Sequence, residues 1–228
     1  FKGAACCWKD PTLVEYASDP SKDIHRDSAM EIFGLAKDQI NKQSRYVAKN
    51  QFVFPQLYGS YYVQCARNIW DSIGKRELQT ADGVDMMKAL AKQGIRELGD
   101  CDPRQEPHKG SFERRVRDAE RSFYGQFSTL KGKMQAWWEK YQRLGGFRLL
   151  TGFWIQGVYS RNFLFNCPIQ GPMFHCLLWS LIRAQKELLR YKMKARIVAE
   201  IHDSILGDVP NHEIQNYLEI ITRVMTVD

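Results

Sequence analysis

No apolar run among the 228 residues reaches the roughly 20 needed for a membrane-spanning helix, and no signal peptide is visible. A membrane partner is therefore not expected, and a cytoplasmic location is. The six cysteines (Cys6, Cys7, Cys65, Cys101, Cys167, Cys176) include no CxxC pair and no metal-ligand spacing. That argues against a zinc module or a disulfide scaffold and for reduced thiols beside apolar neighbours. Internal repeats and low-complexity segments are also missing, which excludes a solenoid or a disordered linker. The opening Phe1-Lys2-Gly3-Ala4 does not resemble a natural start, so the expectation is a piece of something longer. What remains is long enough for one large domain or two small ones. It carries 33 Lys and Arg against 26 Asp and Glu, a formal net charge of +7 that suits a polyanionic partner.

The periodicity is helix-rich. It predicts a helix opened by Asp19-Pro20-Ser21 and running to about Leu35, a second from Ser44 toward Tyr61, and a short one over residues 84–94 ended by a glycine. Ser111 opens what reads as the longest helix, carried to about Leu144 by apolar residues at helical spacing and stopped by Gly145-Gly146. Residues 147–159 are β-like. Pro168 precedes an apolar helix over about 171–191. A hairpin follows, residues 194–201 against 204–209, and an amphipathic helix over 212–225 closes the chain.

Two segments carry chemistry. In the second helix Arg45 and Lys49 lie four residues apart, which puts both cations on one face, where they can grip successive phosphates. Phe54 and Tyr58 share the same spacing, and an aromatic ring there can stack on a base. A surface helix with a solvated basic edge and a buried aromatic edge explains the segment equally well. In the hairpin, His202-Asp203 sits between two short apolar runs. Such a turn can push a carboxylate out of the sheet to hold a metal, or Asp203 can be an ordinary turn residue.

The order Arg-x-x-x-Lys, Phe, Tyr-Gly resembles the fingers helix of family A (Pol I-like) DNA polymerases, with a bacteriophage flavour in Phe-Val-Phe-Pro-Gln-Leu-Tyr-Gly. Asp23-Ile24-His25-Arg26-Asp27-Ser28-Ala29 is similar to the family's D-I-H-x-x-T-A element. Phe165-Asn166-Cys167-Pro168-Ile169-Gln170-Gly171 resembles its F-N-x-P-[IV]-Q-G element, and Ile201-His202-Asp203 its V-H-D hairpin. Four matches in the family's order are specific. The resemblance implies an α+β right-hand polymerase fold with the thumb absent: residues 1–22 a palm remnant, 23–160 helical fingers, 161–228 palm with an antiparallel sheet and the catalytic hairpin. It implies template-directed transfer of dNTPs to a primer 3′-hydroxyl by two Mg²⁺ ions. Asp203 and Lys49 are implied as catalytic, Asp203 as metal ligand, and His25, Arg45, Lys49, Phe54 and Tyr58 as nucleotide-binding. Asn166, Gln170 and His202 are implied to meet the primer-template, with helix capping the plain alternative for the two amides.

The chain departs from the family in four places. The first catalytic aspartate would fall just before Phe1, on a strand that Phe1 onward continues, and the family's sugar-sensing Glu has no counterpart. An N-terminal polymerase segment or a partner chain would supply them, with the thumb, because Asp10 matches a different loop residue. Lys49 and Phe54 are five apart rather than four, which on a regular helix turns the ring about 100° from the cation face. With Pro55 next, this predicts a local bulge that absorbs the extra residue; otherwise Phe52 takes the stacking role. Ser204 stands where the family often has Glu, its hydroxyl able to hold a metal-bound water, and Asn162 stands where it has Arg, with Arg161 adjacent. The alternatives are a catalytically inactive DNA-binding polymerase-like subunit and a single-subunit RNA polymerase.

Overall fold

The computed structural model describes residues 1–201 and 204–226. Phe1 and the residues after it form helix α1 (Lys2–Trp8), not the expected strand. Ala4, Ala5 and Trp8 are its buried residues, a helical spacing; a strand would send Ala4 and Ala5 to opposite faces. Helix α2 (Pro11–Ser18) has Pro11 in its first turn and Asp10 as N-cap, accepting from Leu13 N. Helix α3 (Ile24–Phe33) begins later than expected. Asp19 spends its carboxylate on Ser21 N and Oγ in a local turn, and Asp23 is the residue that caps the helix.

Helix α4 (Lys42–Ala48) is opened by a reciprocal pair: Asn41 Oδ1 accepts from Ser44 N, and Ser44 Oγ from Asn41 N. A π-helical turn, Lys49–Val53, leads into α5 (Phe54–Leu57), where Pro55 occupies the first turn. Helices α6 (Tyr62–Lys75) and α7 (Met86–Lys92) follow, the latter capped by Asp85. The helix expected from Ser111 to Leu144 is two: α8 (Phe112–Gln126), capped by Ser111 as predicted, and α9 (Leu130–Leu144), ended at Gly145 with φ 64°. The break has a cause outside the local pattern. Asp10 Oδ2 accepts from both Thr129 N (3.0 Å) and Thr129 Oγ (2.7 Å), which turns the chain at the α8–α9 junction.

The β-like stretch is a short pair, β1 (Gly146–Arg148) and β2 (Trp154–Gln156). Helix α10 (Arg161–Arg190), at 30 residues, runs through Pro168 and Pro172 and starts ten residues before the expected position. Pro168 has no N–H for the Leu164 carbonyl four residues back, and that carbonyl accepts the Trp137 indole N–H instead (3.0 Å). Strands β3 (Arg196–Ile201) and β4 (Ser204–Asp208) pair antiparallel with a bulge between Ile197 and Ala199. A 3₁₀ turn (Asn211–Glu213) and α11 (Ile214–Thr226) close the chain as expected.

These elements form two compact units, residues 1–147 with 155–167, and residues 148–154 with 168–228. Residues 1–22 lie within the first of these units. Trp8 packs edge-on to Trp137 and Phe165, and Asp10 binds Thr129, so the first helices belong to the same body as α8 and α9. The core of the first unit includes Phe33, Phe52, Phe112, Phe127 and Phe165, all almost fully buried. Each such ring contributes on the order of 2–3 kcal/mol by leaving water. The second unit is built on Ala184, Leu188, Ala195, Tyr217, Ile220 and Val224. A Cβ at Gly207 would sit 2.3 Å from Tyr217 Oη, so the glycine lets that ring lie against β4. Glu213 accepts from Lys194 N and Ala195 N and holds the start of β3. All six cysteines are free thiols, and no described helix is long and apolar enough to cross a membrane.

Candidate nucleotide and DNA site

The π-turn decides the geometry of the basic-aromatic segment. It inserts the extra residue between Lys49 and Phe54 without rotating the ring off the cation face: Lys49 Nζ stands 5.3 Å from the Phe54 ring centroid. Asn50 supports the turn by donating its side-chain N–H to the Tyr46 carbonyl (3.0 Å). The expected bulge is thus present. The alternative in which Phe52 stacks on a ligand is excluded by its burial, 1% exposed and packed edge-on to Phe123.

Around this face the chain gathers an imidazole, two cations and two rings. The His25 ring lies 5.6 Å from Phe54, edge to face, and Phe54 lies 6.1 Å from Tyr58. Arg45 Nε donates to Asp23 Oδ2 at 2.7 Å. Gly59, at φ 77°, ends the segment where only a glycine fits, since a Cβ there would meet the Phe165 ring at 2.4 Å. His25, Arg45, Lys49, Phe54 and Tyr58 therefore cluster in the first unit.

Burial raises the Asp23 pKa, but Arg45 and the N–H groups of Arg26 and His25 outweigh it and hold the carboxyl below its usual range. Burial, then the Arg45 charge, brings the His25 imidazole down to about 4, so it is neutral at pH 7. His25 Nδ1 is buried with no hydrogen-bond partner among the described residues. A depressed histidine pKa means the unfolded chain protonates first. Stability should fall as pH drops from about 6.5 toward about 4 and be insensitive to this group above that window. Melting temperature against pH should be flatter there for His25→Gln; an unaltered slope would contradict the buried neutral imidazole.

The other expected residues are placed as follows. Asn166 lies inside α10, its Oδ1 buried and unpartnered among the described residues, and Gln170 lies exposed on the same helix. Neither is at a helix end, so capping does not explain either amide. His202 and Asp203 lie outside the described residues; they are the two residues joining Ile201 to Ser204, which pair across the hairpin. Ser204 Oγ donates to the Ile201 carbonyl (2.8 Å), which engages the hydroxyl expected to hold a metal-bound water. Asp10 is spent on Leu13 and Thr129, in keeping with its exclusion as a metal ligand. No group of three or more His, Cys, Asp or Glu able to hold a metal occurs among the described residues, so those residues do not by themselves make a Mg²⁺ site.

The structure adds residues that the sequence, apart from Arg161 beside Asn162, did not single out. A cavity of about 420 Å³ in the first unit is lined by Tyr61, Glu120, Tyr124, Lys131 and Arg161, among others. Lys131 Nζ stands 4.0 Å from the Tyr124 ring centroid, and the Arg161 guanidinium lies over Trp138 and Phe165. Spread over a hundred residues of chain, these carry no local motif by which they could have been found.

No protein-family model matches the chain. It is 26% identical over 218 residues to DNA polymerase I of Bacillus subtilis, covering 95% of this chain and 21% of that polymerase. It is 23% identical over 225 residues to the DNA polymerase of Bacillus phage SP01, covering 96% and 21%. The chain thus spans about a fifth of the length of these relatives. The fold is similar to that of the POL domain of Pol1 from M. smegmatis, solved in complex with DNA primer-template and dNTP. There the TM-score is 0.64 at 14% identity, over 98% of this chain and 34% of that one. By sequence along nearly its whole length, and by fold, the chain is similar to Pol I-type DNA polymerases.

Proposed function

We propose that this chain is the fingers and catalytic-hairpin portion of a template-directed DNA polymerase of bacteriophage type. Its partners are primer-template DNA and dNTPs, and its reaction joins a dNTP to a primer 3′-hydroxyl. The observation that carries this reading is the π-turn, which keeps Lys49 and Phe54 on one face beside Arg45 and His25 in spite of the inserted residue. Arg45 and Lys49 bind phosphate oxygens, and His25, neutral, donates an N–H to one. Phe54 lies against the incoming base and sugar, and Tyr58 occupies the template-base position until the dNTP arrives. Lys49 also offsets charge as pyrophosphate leaves. Asn166, Gln170 and His202 meet the primer-template.

Two Mg²⁺ ions, when bound, lower the pKa of the primer hydroxyl and stabilise the leaving pyrophosphate. Asp203 is one ligand; the second carboxylate and the thumb come from a polymerase segment outside this chain, in cis or in trans. The test is extension of a primer on a template of defined sequence by the polypeptide that carries this chain. Template-dictated incorporation of dNTPs is the expected result. Duplex binding without incorporation would favour an inactive DNA-binding subunit, and ready use of ribonucleotides a single-subunit RNA polymerase.

A further inference from the structure

We propose that Asp23 is a positioning residue that sets the triphosphate grip by holding His25 and Arg45 as one unit; the inference rests on the nucleotide site described above. One carboxylate serves two elements. Its Oδ1 accepts from the backbone N–H of His25 (3.1 Å) and Arg26 (3.2 Å), fixing the first turn of α3 on which His25 sits. Its Oδ2 accepts from Arg45 Nε at 2.7 Å, reaching across 22 residues to α4. The Arg45 guanidinium makes no other hydrogen bond among the described residues, so both terminal nitrogens of its planar fork remain for an anion. Holding a guanidinium by Nε leaves its far edge fixed in direction, and the same carboxylate caps the helical turn that carries the imidazole. Asp23 is itself half-buried and held by three donors, which favours an anchor over a counter-ion that departs when phosphate arrives.

The two roles predict opposite signs, because removing a mere counter-ion leaves Arg45 more attractive to anions. Asp23→Asn keeps an oxygen for the cap and removes the charge that pins Arg45. Binding of dTTP and of inorganic tripolyphosphate to the full chain should weaken about tenfold in this variant, as for loss of a charge-assisted hydrogen bond that orients a ligand group. The melting temperature should stay close to that of the unsubstituted chain. In an Arg45→Ala background, Asp23→Asn should add nothing, since its effect runs through Arg45. Unchanged or tighter binding by Asp23→Asn, or an additive loss in the Arg45→Ala background, would overturn the positioning role alone. Failure of the unsubstituted chain to bind either triphosphate would overturn the nucleotide site on which it rests.

Discussion

Primer extension falls on the order of a thousandfold when Asp203 is replaced by alanine, the upper end of what losing one preorganised electrostatic group costs. The expectation comes from where the residue stands in the chain. Ile201 and Ser204 are paired, so only His202 and Asp203 join β3 to β4. Hard cations take oxygen ligands, and Asp203 is the carboxylate that the hairpin resemblance assigns to the metal. Duplex affinity should change by less than about threefold, because DNA binding of this kind is dominated by cations on the phosphate backbone. Single-turnover extension and a filter-binding measurement on the same preparation separate the two. Extension at the unsubstituted rate would remove Asp203 from the chemistry. Equal loss of extension and binding would mean that the hairpin had failed to form.

The largest effect on stability should come from Asp10. Its carboxylate is 1% exposed and accepts from Leu13 N, Thr129 N and Thr129 Oγ, joining α2 to the α8–α9 break. Alanine there forfeits a helix cap, worth about 1 kcal/mol, and the two hydrogen bonds from Thr129 to a charged acceptor, each worth about 1 kcal/mol. A loss of about 3 kcal/mol corresponds to a fall of about 6–12 °C in the melting temperature for a body of this size. Asp10→Asn retains an acceptor and should lose less. Burial pushes the Asp10 pKa up, but the hydrogen bonds from Thr129 and Leu13 prevail and lower it. Its contribution is therefore complete above the ordinary carboxylate pKa and is lost as pH falls through the depressed value. A melting temperature unmoved by Asp10→Ala would mean that the α8–α9 break has another cause.

Much of the local structure was legible in residue type and spacing. Ser111 and Gly145 mark helix ends because capping is a property of a few neighbouring residues. The clustering of His25, Arg45, Lys49, Phe54 and Tyr58 was legible too, since the five-residue interval from Lys49 to Phe54, with Pro55 behind it, leaves a helix few ways to keep both on one face. The misreadings share a different origin. Pro168 looked like a helix start, yet α10 passes through it because Trp137, far away in sequence, satisfies the carbonyl that proline orphans. Ser111 to Leu144 looked continuous, yet Asp10 turns the chain at Thr129. The start of the chain read as strand and is helix because Trp8 has a place between Trp137 and Phe165.

By itself the sequence determined the helix-rich composition, the helix ends at Ser111 and Gly145, the bulge after Lys49 and the shared face of Arg45 and Lys49. Each of these depends on neighbours within about one or two turns, where covalent connection already brings the groups together. Only the tertiary structure decided which breaks are real, which prolines are tolerated, and that Asp23 ties His25 to Arg45. Those outcomes turn on whether a distant donor or acceptor arrives to satisfy a buried polar group, and packing alone sets that.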